Sequence, residues 1–405
     1  MKAYILIFFV LFLSIDLFSQ KDGQYGKIED ALLEPERVIE LYPGKITKQD
    51  LKKVEKFKNL EVLSFSYCSI DSLPVEIYNC TELKRLEINN NGLLYIPEGL
   101  GRLSKLERLR IDRNNLREIP ADIGLLENLT YLNITGNNIY SLPIEVNGLK
   151  KLEHIDLCSN MDFNQVFEIL KKTNIKSIDL AAIFFDSLPK SIIEFESLES
   201  VCLSHNSSLD FNYTIEQLSN LKQFKSLDIS RNPELLEIPK NITSLENLET
   251  LNLHANYKLN LKNEIKTLKK LRNLKSIDIG YLNIKELPKS FTKLENLEDI
   301  SFWGCKELEL EPTFNKLSQM PNIKKVSLSE CEIKTLPENI VMLTSLTELE
   351  LMFNPDLDIK QISDVLINCK NLEKLNLISF GEYNYSLDDV KKMEERLNNV
   401  EIAYF

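Results

Sequence analysis

Histidine, cysteine, aspartate and arginine carry much of protein chemistry, and here the first two are few: 3 His and 7 Cys in 405 residues. Nucleophilic catalysis needs a Ser or Cys beside a base that a third group orients. No Ser-His-Asp order, phosphate-binding loop or isolated carboxylate pair stands out along the chain. A zinc ion needs its ligand nitrogens to converge at about 2.0–2.1 Å. His154, His205 and His254 fall in alternate copies of a repeating frame, which holds them roughly 10 Å apart. The expectation is therefore no catalysis, no metal and no cofactor. Placement is more informative. Arginines gather at Arg85, Arg108, Arg110 and Arg113, aspartates recur at Asp156, Asp179, Asp228 and Asp278, and the only tryptophan, Trp303, lies between Tyr281 and Phe353.

An internal repeat fixes these placements. The segment Leu83-Lys-Arg-Leu86-Glu-Ile88-Asn-Asn-Asn91 recurs from Leu106 to Asn114 and again from Leu129 to Asn137. The L-x-x-L-x-L-x-x-N frame opens at positions 60, 83, 106, 129, 152, 175, 198, 224, 248, 274, 297, 323, 346 and 372, with degenerate copies at Val38 and Leu397. Positions 4 and 6 of the frame alternate with 3, 5 and 7, so a short strand has one apolar and one polar side. One copy cannot bury its apolar side, but stacked copies share a continuous core. At position 9 the chain turns away from the strand, and a buried amide there can satisfy backbone groups that the turn leaves unpaired.

The frame resembles that of leucine-rich-repeat proteins of the 23-residue Leu-Pro class. The resemblance implies an α/β solenoid: a curved parallel sheet on a concave face, short helices and turns on a convex face, and a ladder of stacked asparagines. The expected layout is a signal peptide at 1–19, a linker and capping helix at 20–59, repeats at 60–396, and a capping strand at 397–405. Thr47 to Asp50 and Ser386 to Asp389 have capping-box spacing before apolar-periodic runs.

Early copies close with Leu-Pro or Ile-Pro, as at Leu73-Pro74 and Ile119-Pro120, and proline ends strand pairing. From Leu129 onward a Pro-type copy alternates with a Pro-free one. Four of the five Pro-free copies are longer, at 26 residues against 23 or 24. The additional residues lengthen the convex element by almost one helical turn. Ile265, Leu268 and Leu271 show the helical spacing.

The frame also sorts the cysteines. Cys68, Cys305 and Cys331 occupy the asparagine position, and Cys80 and Cys369 replace a buried convex residue. These behave as small buried hydrophobes. Cys158 and Cys202 are expected to point outward, about 9–10 Å apart and too far for a bridge. Only Cys305 and Cys331 sit on adjacent repeats where a disulfide is conceivable.

Outward positions 3, 5, 7 and 8 form columns on the sheet. Of 10 Arg in the chain, 6 lie between Arg85 and Arg117. They form either a solvated patch compensated by Glu87 and Asp112 or a site for carboxylate or phosphate groups, which a guanidinium grips with a planar fork. Tyr131 stands in the same columns. The Asp column offers a place for a basic partner or a cation, and equally keeps a long sheet soluble. Tyr281, Trp303, Met352 and Phe353 put aromatic and thioether surface where interface anchors are found; the alternative is mutual covering of neighbouring repeats.

With 49 Lys and Arg against 61 Asp and Glu the net charge is −12, which argues against general nucleic-acid binding. Lys2, the apolar run Ala3 to Leu13 and the more polar Ser14 to Gln20 have the order of a secretory signal cut near Ser19. Asp16 interrupts the run short of the ~20 residues of a membrane span, and no Cys follows closely to carry a lipid. The Lys, Asn and Ile richness is of bacterial type. Together these describe a secreted, periplasmic or cell-surface scaffold without stable membrane insertion after cleavage. It would bind a protein or peptide on its concave face, or alternatively act in glycan or cell-wall adhesion.

Overall fold

A computed structural model describes residues 22–158, 163–377 and 385–404. The expected signal peptide lies outside them. The described residues form two compact units that divide between Cys202 and Leu203. In each, the alternation of the frame becomes a parallel sheet of one short strand per repeat.

In the first unit the strands run from Gln24–Tyr25 through Glu40–Leu41 and Val62–Ser66 to Ser200–Cys202. They stay in a register that brings Leu86, Leu109, Leu132, Ile155, Ile178 and Val201 side by side. That column and the position-6 column Ile88, Ile111, Ile134, Leu157 and Leu180 are buried. The strand Gln24–Tyr25 precedes the first copy of the frame and pairs with Glu40–Leu41. In the second unit the strands run from Ser226–Asp228 to Glu401–Tyr404, with Leu227, Leu251, Ile277, Ile300, Val326, Leu349, Leu375 and Ile402 in one register.

The two repeat types return along the other side by different elements. Most Pro-type copies use five-residue 3-10 turns with the proline at the N-cap, such as Ala121–Leu125 and Lys240–Ser244; the copy with Pro97 has the shorter turn Leu100–Arg102, N-capped by Gly99. Pro-free copies use eight-residue α-helices: Phe163–Leu170, Phe211–Leu218, Leu261–Leu268, Leu310–Leu317 and Ile359–Leu366. In four of the five Pro-free copies three extra residues accommodate the helix; the copy that holds Phe163–Leu170 forms it within 23 residues. Both predicted capping boxes are formed, at Thr47 with Asp50 and at Ser386 with Asp389.

The position-9 asparagines tie successive repeats together. In Asn114 the amide nitrogen donates to the carbonyls of Ile88, Ile111 and Asp112, and Oδ1 accepts from the N–H groups of Asn91 and Leu93 at 3.1 and 3.0 Å. Asn232 and Asn354 repeat this pattern in the second unit. Cysteine at this position keeps the donor role. Cys331 Sγ donates to the carbonyl of Phe302 at 3.1 Å, and Cys305 Sγ lies 3.7 Å from that of Ile279. Burial raises both thiols, Cys331 to about 12, so they stay protonated and able to donate. All seven cysteines are free, including Cys305 and Cys331. Cys158 departs from expectation: it is buried, not outward, and burial pushes its thiol up.

Two outcomes follow for stability. Asn114→Ala leaves several buried backbone groups unpaired and is expected to cost about 2–4 kcal/mol, read from chemical denaturation. A reducing agent is expected to leave the melting temperature unchanged; a clear drop would reveal a disulfide that this packing does not contain.

Candidate functional site

Position 8 of the frame sits in the left-handed backbone region in nearly every described repeat: Asn90, Arg113, Ala182, His205, Arg231, Ala255, Tyr281, Glu330 and Phe353 all have φ between +54° and +58°. This turn swings the position-8 side chain onto the outward sheet face. At position 5, Asp or Asn accepts the N–H two residues on, an Asx turn: Asp179 from Ala181, Asp228 from Ser230, Asp278 from Gly280, and likewise Asn133 and Asn252. Much of the predicted Asp column is therefore occupied with its own backbone.

In the first unit the predicted residues Arg85, Arg108, Arg110, Tyr131 and Asp156 form a connected surface. The Arg108 guanidinium lies 3.6 Å from the centroid of the Tyr131 ring, a cation–π stack. The Tyr131 hydroxyl donates to the Asp156 carboxylate. Glu87 sits between two arginines, 3.6 Å from Arg108 Nε and 3.9 Å from Arg85 Nε. Arg85 donates to the Tyr42 hydroxyl at 2.7 Å, which in turn donates to Glu40. Tyr42 and Glu40 belong to the degenerate Val38 copy; taking that copy's positions 3 and 5 as outward was the signal that could have found them. Arg110 is 3.4 Å from Asp112, whose burial raises its carboxyl despite Arg110 and Arg113 nearby. The Nε atoms of Arg85 and Arg110 are buried and make no hydrogen bond. Arg113 occupies the adjacent left-handed position, and Asp179 pairs in register with Asp156.

Burial raises Asp156, its neighbour Asp179 adds to this, and the Tyr131 hydroxyl opposes it. The same burial, with the bond to Asp156, pushes Tyr131 up to about 12.

The second unit carries the aromatic row. The Trp303 ring packs on Phe353 with centroids 5.6 Å apart, and its Nε1 donates to Glu330 at 3.0 Å. Tyr281 lies edge-on to His254 at 5.1 Å, and burial followed by its hydrogen bond to Glu330 raises its hydroxyl. Tyr281 also covers Gly304, φ +71°, where a Cβ would fall 2.4 Å from the ring, so only glycine fits. Tyr281, Trp303 and Phe353 remain half-exposed. Glu330, which anchors two of the three, was not among the predicted residues, although its outward position in the frame marks it. Asp228 and Asp278 lie on the same face, Asp228 accepting from Asn252 and Asp278 standing 3.6 Å from His254 Nδ1. No group of three metal-ligating side chains is found among the described residues.

These are the features of a leucine-rich-repeat solenoid whose outward face presents prearranged side chains. Family models described as leucine-rich repeat match residues 104–161 and 59–80. A leucine-rich-repeat protein of Leptospira interrogans is similar over its whole length, at 26% identity, covering 95% of this chain and 100% of that one with a TM-score of 0.56. TLR13, solved in complex with ssRNA13, is 20% identical over 93% of this chain and 63% of its own, TM-score 0.50. An internalin of Listeria monocytogenes is 18% identical over 89% of each chain, TM-score 0.43. No protein of curated function matches the sequence.

Removing the Tyr131 hydroxyl is expected to raise the Asp156 carboxyl further. A raised carboxyl stays protonated in the folded state while its unfolded counterpart ionises, so its contribution falls as pH rises from about 4 toward Asp156's own value. Tyr131→Phe therefore widens that window and loses more stability across it than the unaltered chain. Side-chain carbon NMR titration of Asp156 reads the shift directly; an unmoved or lowered midpoint would sink the assignment.

Proposed function

We propose that this protein is a non-catalytic binding scaffold, exported from its cell, that takes a protein or peptide partner on the outward face of its sheet. The observation that carries the reading is the row Tyr281, Trp303 and Phe353. Aromatic rings are held half-exposed on a polar face, fixed by Glu330 and Gly304, in the way interface anchors are preorganised. Leucine-rich-repeat solenoids are in general scaffolds for recognition. The Arg108–Tyr131–Asp156 surface, with Arg85, Arg110 and Arg113, is suited to carboxylate groups of such a partner. Residues 1–19 are the leader removed on export, and the end-to-end likeness to a bacterial protein fits the bacterial composition. No helix among the described residues is long and apolar enough to cross a membrane.

The test is capture of partners by immobilised residues 20–405, followed by kinetics with the captured protein. Trp303→Ala is expected to speed dissociation at a cost of about 2 kcal/mol, close to thirtyfold. Arg108→Glu with Arg110→Glu is expected to slow association with an acidic partner and weaken its salt dependence. The reading fails if the exposed convex substitution Lys172→Glu weakens binding equally. It fails too if a glycan array, and no protein, gives the ligand.

A further inference from the structure

A second surface lies away from the sheet, in the second unit, between the helix Leu261–Leu268 and the 3-10 turn Lys289–Lys293. Here a cleft of about 1290 Å³ opens over an apolar floor that includes Leu259, Ile265, Leu282 and Ile284. Its walls are lysine. Lys262, Lys266 and Lys269 stand at i, i+4 and i+7 on one side, a row about 10 Å long. Lys285, Lys289 and Lys293 line the other side. Lys258 and Lys316 complete it, and Glu286 is the one acidic residue in the lining.

The charge is concentrated, not incidental. Between Lys258 and Lys293 there are 10 Lys and Arg against 3 Asp and Glu, a local +7 in a chain of net charge −12. Carboxylates pair with Lys258 (Glu234, 2.6 Å), Lys285 (Glu307, 3.9 Å) and Lys316 (Glu286). Among the described residues, none lies within ion-pairing distance of Lys262, Lys266, Lys269, Lys289 or Lys293. Five lysines thus line one cleft without carboxylate partners among the described residues.

We propose that this cleft binds a compact anion bearing several phosphate groups. The lining contains no arginine, so the planar fork that selects carboxylates is missing, whereas lysine serves as a point charge for tetrahedral phosphate. The volume exceeds the roughly 300–1,000 Å³ of an ordinary small-molecule pocket, leaving room for a highly charged, partly hydrated ligand. A single aromatic side chain, Tyr257, lines it, so successive bases of a nucleic acid find no stacking platform. The site is independent of the sheet face and of its partner.

Calorimetry of the purified chain with sodium tripolyphosphate and with myo-inositol hexakisphosphate tests this, alongside sedimentation with phosphatidic-acid vesicles. Two triple variants are compared: Lys262→Gln, Lys266→Gln, Lys289→Gln in the cleft, and Lys45→Gln, Lys172→Gln, Lys370→Gln at exposed positions elsewhere. Matched melting temperatures confirm that both fold. The cleft triple is expected to weaken binding by about tenfold per lost ammonium–phosphate bond, and the other triple to leave it unchanged. Binding of the soluble anions assigns a free ligand. Vesicle binding alone, lost in the cleft triple, assigns the same phosphate chemistry to a lipid headgroup. Absence of binding to all three probes at low salt, equal losses in both triples, or tighter binding of a single-stranded oligonucleotide at the cleft each overturns the proposal.

Discussion

The structure depends on one constraint: a chain that turns off its strand after three to five residues leaves backbone groups at the turn that no neighbouring strand reaches. The position-9 asparagine resolves this with a single side chain. Its amide nitrogen donates backward and within its own repeat while its oxygen accepts from the repeat before, so Asn114 touches backbone belonging to Ile88, Asn91, Leu93, Ile111 and Asp112. Each buried hydrogen bond contributes little net, but each unmade one costs the full desolvation of its group. The ladder is therefore less a source of stability than the condition under which short repeats can be buried at all. Cysteine at positions 305 and 331 shows how far the constraint bends: a protonated thiol supplies the donor in place of the amide.

The same turn decides what faces outward. Because position 8 is left-handed, its side chain is carried onto the sheet face beside positions 3 and 5, and residues as bulky as Tyr281 and Phe353 hold a conformation that usually favours Gly or Asn. Such a conformation costs of order 1 kcal/mol per residue, offset by ring packing and, for Tyr281, by its bonds to Glu330. Position 5 is pulled the opposite way. Its Asp or Asn closes an Asx turn on position 7, so the aspartate column is a structural device first and a ligand surface second.

That difference explains how much was legible in sequence. The frame, the capping boxes at Thr47 and Ser386, the buried roles of Cys305 and Cys331, and the pairing of Pro-type with Pro-free copies all rest on local pattern, and local pattern survives folding in a repeat protein because each unit meets only its neighbours; Cys68, read the same way, is only half-buried. What escaped was whatever depends on a neighbour's side chain. Cys158 holds an outward position in the frame but is buried. Glu330 matters because Trp303 and Tyr281 reach it, and Tyr42 because Arg85 does. The strand Gln24–Tyr25 carries no frame at all and forms because Glu40–Leu41 offers an open edge. The lysine cleft was likewise invisible to a reading organised by the sheet, since its walls come from a helix and a turn of successive repeats.

The alternation of repeat types has a consequence beyond geometry. A five-residue 3-10 turn exposes too few positions to carry a chemical pattern of its own, whereas an eight-residue α-helix presents a full solvent row at i, i+4 and i+7. The Pro-free copies therefore add such rows on the side opposite the sheet, spaced two repeats apart with a proline-capped turn between them. The buried face of each helix is fixed by the core, as Ile265 and Leu268 show, but its solvent row is free to vary without disturbing either the ladder or the outward columns. In four of the five helices that row is of mixed composition; in Leu261–Leu268 it is lysine, and the next turn and helix answer with more lysine. Where packing leaves a position unconstrained and one charge nevertheless fills it repeatedly, against the net charge of the chain, the pattern points to a ligand and not to the fold.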